Sequence, residues 1–150
     1  MNFPRHKAVD GQTGFLLKKV STASFNAFSE IVGEHGLHPM HFGMLMMIDA
    51  EEPISQQELS RRTSIDPSTM VARMDVLEEH GLVERTRNTV DRRSYDIRLS
   101  PSGRQLLIKL RKQARAHGDR FFSPLTRDER NELHRLLAKL ANGIDEAANH

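Results

Sequence analysis

The 150-residue chain has no cysteine. That excludes disulfides, thiolate metal sites and thiol-based redox sensing, and it fits a reducing, cytoplasmic location. No apolar run approaches the roughly 18 residues of a membrane span, and the opening MNFPRHKAVDGQTG lacks the apolar stretch of a signal peptide. No membrane partner is therefore expected. There is no Gly-rich phosphate loop and no Ser-His-acid set at suggestive spacing, so neither an enzyme nor a bound cofactor is expected. Internal repeats and low-complexity tracts are also missing.

Lysine is absent between Lys19 and Lys109, and the middle of the chain carries its positive charge on arginine alone. The formal net charge of +2 is too mild to argue a nucleic-acid partner by itself. Its placement says more. Between Arg85 and Arg98 five arginines stand against Asp91 and Asp96, and arginine is the side chain suited to bidentate and groove contacts.

The length suits one domain over residues 1–150. Residues 1 to 11 read as a loose lead-in. Leu16, Val20, Ala23, Ala27 and Ile31 then recur at helical spacing, and Gly36 ends that helix. Pro39 opens a second helix with Phe42, Leu45 and Ile48 inward. S-Q-Q-E from Ser55 reads as a capping box for a short third helix. Asp66 as N-cap and Pro67 in the first turn start a fourth, which stops at Gly81. Two strands, Leu82 to Arg87 and Ser94 to Leu99, flank the loop NTVDRR. Ser100 and Pro101 open another helix, Pro124 breaks it, and Thr126 with Glu129 boxes the last, whose stripe is Leu133, Leu136, Leu137, Leu140 and Ile144.

The expected fold is mainly α with a small β wing: a winged helix-turn-helix lobe over 37–100, with helices at 12–36 and 101–148 burying their stripes against a second copy of the chain. In such a lobe the second helix of the pair enters the DNA major groove. Met70, Met74 and Leu77 should face the core, and Thr69, Ala72, Arg73 and Val76 outward. Pro67, Ser68 and Thr69 form the first turn, where hydroxyls and N–H groups can hold phosphate. Arg73 is long enough for a guanine edge, and Ala72 permits a thymine methyl. Ser55 and Gln56, at the start of the preceding helix, are further phosphate candidates. In the wing, Arg85, Asp91, Arg92 and Arg93 are the candidates: Arg93 as a minor-groove probe, Asp91 accepting its hydrogen bonds, Arg92 on the adjacent phosphate. Tyr95, Ile97 and Leu99 should anchor the strand to the core.

ELSRRTSIDPSTMVARMDVLEEHGLVERTRNTVDRRSYDIRLSPSGRQLL resembles the DNA-binding lobe of the MarR (multiple-antibiotic-resistance regulator) family. The carrying elements are DPST, LEEHGLVER and DRRSYDIRLSPSG, the last matching the family's D-x-R, five residues, L-T/S pattern. LHPMHFGMLMMI is similar to the family's second helix and PLTRDERNELHRLLAKL to its last, so the likeness spans about residues 12 to 143. It implies a homodimeric transcription regulator, usually a repressor, on a pseudo-palindromic double-stranded DNA operator. It also implies an arginine at position 93 in the minor groove, supported by Asp91, and a recognition helix presenting Ser68, Thr69 and Arg73. Ser64 stands where members often have Gly in the helix-helix turn.

The resemblance further implies release by a small aromatic or lipophilic effector, bound between dimerisation helices and lobe. His38, His41 and Met44 are the pocket candidates. The methionines Met40, Met44, Met46 and Met47 suit a pocket of loose shape and equally serve as core filler. His38 and His41 at i, i+3 can chelate zinc, but no third ligand stands at convincing spacing, so no metal is expected. A zinc-responsive repressor and a winged-helix protein-interaction module without DNA binding remain the alternatives.

Overall fold

The computed structural model of the chain describes residues 11–149, and the lead-in expected over residues 1 to 11 falls, but for Gly11, outside them. The elements run α1 (Thr13–Gly33), α2 (Pro39–Glu51), β1 (Ile54–Ser55), α3 (Gln56–Thr63), α4 (Pro67–Glu79), β2 (Val83–Arg87), β3 (Tyr95–Leu99), α5 (Pro101–Phe121) and α6 (Arg127–Ala148). The chain divides into two compact units, Met1–Ala114 and Arg115–His150.

In the first unit, one core gathers Val32 from α1, Met44, Leu45 and Ile48 from α2, Leu59 from α3, and Met70, Met74 and Leu77 from α4. Ile54, Ile97 and Leu99 of the strands and Leu107 and Leu110 of α5 complete it. The inward set expected for α4 is thus in place. Phe28 of α1 meets Phe42 of α2 edge to face, with centroids 5.3 Å apart.

The helix-turn-helix is set by local chemistry. Ser64 closes α3 in the left-handed region, at φ 55°. A non-glycine residue adopts that conformation only against a steric penalty, and here a serine takes it. The Ser60 hydroxyl donates to the Ile65 carbonyl across the same turn. Asp66 then caps α4: its Oδ1 accepts from Thr69 N at 2.9 Å and from Ser68 Oγ at 2.6 Å. At the other end Gly81 takes φ 65°, as its C-terminal position requires.

The sheet has three strands in the order β1-β3-β2, all antiparallel. Ile54 faces Ile97, and Val83 faces Leu99. Strand β1 has only two residues, too few for alternation to register in sequence. The expectation for Tyr95 needs correction. Ile97 and Leu99 are buried, but Tyr95 is 38% exposed. It lies beyond the core at the wing's outer end, where Arg85 and Arg87 stack over its ring with Cζ at 5.6 and 5.7 Å from the centroid.

Where the wing returns to α5, backbone meets backbone. Ser100 N donates to the Leu82 carbonyl at 3.0 Å. Ser100 Oγ donates to the Gly81 carbonyl at 2.6 Å and accepts from Gly103 N at 2.9 Å. A Cβ on Gly103 would stand 2.0 Å from the Leu82 carbonyl oxygen, which is why SPSG ends in glycine.

In the second unit, Thr126 and Glu129 form the expected reciprocal box at the start of α6: Glu129 Oε2 accepts from Thr126 N at 2.8 Å and Thr126 Oγ1 from Glu129 N at 3.3 Å. Arg130 Nε donates to the Phe122 carbonyl at 3.1 Å and steadies the turn before it.

Gly103→Ala should lower stability by about 3 kcal/mol or more, because the obstacle is backbone rather than a movable side chain. Urea denaturation followed by circular dichroism measures this; a loss under about 0.5 kcal/mol would contradict the close approach.

Candidate nucleic-acid interface

A cleft of about 880 Å³ lies between the start of α3, the start of α4 and the wing; its lining includes Ser55, Gln56, Pro67, Val71, Arg85 and Arg93. The fold therefore brings together candidates from three segments distant in sequence. Among the other α4 candidates, Ser68 and Ala72 are exposed, and Thr69 and Arg73 are half-buried. The expected outward stripe is rotated. Val76 packs against the core, and the exposed face runs through Ser68, Val71, Ala72 and Asp75. The reason is that α2 covers the Arg73 side of the helix: its charge is felt by both His38 and His41.

At the start of α3, Ser55 Oγ accepts from Glu58 N at 3.1 Å. The reciprocal half of the expected capping box does not form. Glu58 instead takes Arg61, through Nε at 2.9 Å, and Arg62, through Nε at 2.8 Å. Those two hydrogen bonds hold its carboxyl down at about 2. Two guanidinium groups one turn away outcompete a single backbone N–H for the carboxylate.

The wing arginines separate into two kinds. Arg85 is tied down: Nε pairs with Glu78 of α4 at 2.7 Å, and Nη2 donates to Gln56 Oε1 at 3.0 Å. One guanidinium thus links wing, recognition helix and α3. Arg92 and Arg93 are exposed at the tip and make no ion pair among the described residues. Asp91 does brace Arg93, but through the main chain: its Oδ1 accepts from Arg93 N at 3.0 Å. The expected side-chain pair is absent because the short Asp91 side chain closes a local turn on the backbone two residues on.

Asn88, which sequence reasoning passed over, does most of the shaping of the loop. Its Oδ1 accepts from Val90 N and Asp91 N, both at 2.8 Å, and its Nδ2 donates to Asp96 at 3.0 Å. An asparagine at the head of a hairpin loop is the signal that marked it.

The histidines of α2 have a structural use. His38 is the N-cap, its Nδ1 accepting from Met40 N at 3.1 Å, and His41 Nδ1 accepts from His38 N at 2.8 Å. With Nδ1 accepting, the neutral ring carries its proton on Nε2, and that atom is buried without a hydrogen-bond partner. Burial, then the charge of Arg73, then His38 and His80 lower the His41 pKa to about 4, against a weak opposing pull from the Arg73 backbone. Burial and Arg73 lower His38 as well. Met44 is fully enclosed in the core. Among the described residues no group of three or more His, Asp or Glu stands where it can hold a metal.

A cleft flanked by a capped helix and an arginine-tipped wing defines a winged helix-turn-helix of the nucleic-acid-binding class. Comparison with known proteins makes this specific. The MarR family pattern matches residues 35–94. The chain is 32% identical over 136 residues to a putative transcriptional regulatory protein for the hcr operon of Thauera aromatica, covering 90% of this chain and 82% of that one. It is 30% identical over 135 residues to an HTH-type transcriptional repressor of Mycobacterium tuberculosis, covering 90% and 97%. Among solved structures it superposes on the transcriptional repressor CouR bound to a 23-mer DNA duplex, with TM-score 0.83, 32% identity, and 93% and 99% of the two chains covered. The chain belongs to the MarR family, whose members are DNA-binding transcription regulators rather than enzymes.

The depressed His41 pKa makes stability depend on acidity. The unfolded chain takes up this proton near pH 6.5 and the folded one only near 4. Stability is therefore full above pH 6.5 and falls progressively down to about pH 4. In thermal melts across that range, His41→Asn should flatten this share of the decline; an unchanged slope would show that His41 does not carry it.

Proposed function

We propose that the chain is a homodimeric repressor of a pseudo-palindromic operator. In this reading residues 37–100 form the DNA-binding lobe, and residues 12–36 and 101–148 the dimerisation helices. The observation that carries it is the cleft, where the recognition helix and the unpaired Arg93 of the wing line one concavity. Helix α4 enters the major groove with Pro67, Ser68, Thr69 and Ala72 toward the DNA, and Arg73, half-buried on the α2 side, reaches it only from the edge of that face. Ser55 and Gln56 approach phosphate, Arg92 takes the phosphate beside the tip, and Arg93 enters the flanking minor groove, where negative potential concentrates. Asp91 holds the tip, and Arg85 fixes the wing against α4.

Bare apolar surface on both outer segments supports the dimer. Phe15, Leu16, Leu17, Val20 and Phe25 of α1 are each more than 40% exposed, and so are Leu136, Leu140 and Ile144 of α6. Stripes of that kind are ordinarily buried against a partner. That CouR is itself named a repressor and was solved on a DNA duplex supports the repressor reading. A small aromatic or lipophilic effector would release the DNA; of its candidate contacts, His38 is half-buried, whereas His41 and Met44 are enclosed in the core and meet it only where that packing opens. No described helix is long and apolar enough to cross a membrane, and the reading puts the protein in the cytoplasm with its operator.

Arg93→Ala should weaken binding about tenfold or more, the loss of charge-assisted hydrogen bonds in a desolvated groove. The test is a mobility-shift titration on a duplex selected by the wild-type protein from a randomised pool. Sedimentation should give a dimer for both proteins. Equal affinities would overturn the wing role, and a wild-type monomer the dimer.

A further inference from the structure

The face that α4 presents to solvent is not the one its arginine marks. Ser68, Val71, Ala72 and Asp75 are exposed and stand at i, i+3, i+4 and i+7, one stripe of a helix. Val71 is 49% exposed although it is β-branched and apolar, and it lines the same cleft as Arg93 and Tyr95. Asp75, one turn on, makes no ion pair among the described residues. Ser68 is half committed, its hydroxyl donating to Asp66. Arg73, half-buried toward α2, lies off this stripe.

From this juxtaposition we infer that base-edge reading by the recognition helix is apolar and acidic: Val71 and Ala72 pack on thymine C5-methyl groups, and Asp75 accepts from a cytosine N4 amino group. The inference rests on the proposal that α4 lies in the major groove. The chemistry follows from what that groove displays. Thymine alone offers a methyl there, and Ala and other small apolar groups are its natural contacts; cytosine offers a donor that a carboxylate accepts. An aspartate at that place also repels phosphate, so it penalises loose, sequence-independent docking while rewarding one base. The affinity comes from the arginine-tipped wing and the helix start, and the discrimination from a stripe that carries no positive charge.

The test uses the full-length protein. A duplex is first selected from a randomised pool by the wild-type chain. Each half-site thymine is then replaced in turn by deoxyuridine, which removes only the methyl. At one or two positions per half-site the dissociation constant should rise about threefold, the effect of losing one buried methyl, and Val71→Ala should abolish the difference between thymine and deoxyuridine at one of them. Val71 is exposed, so this variant keeps the fold. A second selection with Asp75→Asn should yield half-sites in which one cytosine preference has relaxed. Equal affinity for thymine and deoxyuridine at every position, or a methyl effect undiminished in Val71→Ala, would overturn the methyl contact. An unchanged selected sequence with Asp75→Asn would overturn the cytosine contact. If the wild-type chain selects no duplex at all, the DNA-binding proposal falls, and this inference with it.

Discussion

The approach of α5 to the Leu82 carbonyl is the constraint on which the rest of the DNA-binding unit depends. The carbonyl accepts from Ser100 N, the Ser100 hydroxyl reaches Gly81 O and receives Gly103 N, and Gly103 has no Cβ to hold the chains apart. These contacts join the end of the recognition helix, the exit of the wing and the first turn of α5 within a few residues. Glu52 adds a second fastening: it accepts from Leu99 N at 2.8 Å and pairs with Arg104 of α5. Burial alone would raise its pKa, but the Arg104 hydrogen bond and the Leu99 N–H outweigh it, so it is held ionised below the usual carboxylate range. The angle between helix and wing is thus fixed by short main-chain distances, and a rigid angle is what lets two separate elements address one groove and its neighbour.

Arginine serves two purposes in this unit. Arg61, Arg62, Arg85, Arg104 and Arg111 are each paired with a carboxylate and organise the scaffold. Most of these pairs are exposed, and each by itself contributes little to stability; Arg85 matters because it ties three elements at once. Arg92 and Arg93 are held out on a loop whose backbone Asn88 and Asp91 have already shaped. The loop is ordered before any partner arrives, so less conformational entropy is lost when the tip engages one.

Much of this was legible in the sequence because it is written in local chemistry. Asp66-Pro67, Gly81, Thr126 with Glu129, and the Met70, Met74, Leu77 spacing each determine their own element. The features that were not legible depend on competition or on distance. Glu58 abandons its cap because Arg61 and Arg62 are nearer bidders. The direction of Arg73 is set by α2, thirty residues away in sequence, so spacing within α4 placed it on the wrong edge of the stripe. Tyr95 obeys the alternation of its strand, but the core ends before reaching it. The histidine cap of α2 escaped notice because imidazole is an uncommon N-cap, and paired histidines suggest metal first.

Dimethyl sulfate probing of the bound operator tests the account most directly, since it methylates guanine N7 in the major groove and adenine N3 in the minor groove. The account predicts protected guanine N7 atoms in each half-site where α4 lies, flanked by protected adenine N3 atoms where Arg93 enters. Protection confined to one groove, or minor-groove protection that persists in Arg93→Ala, would contradict it.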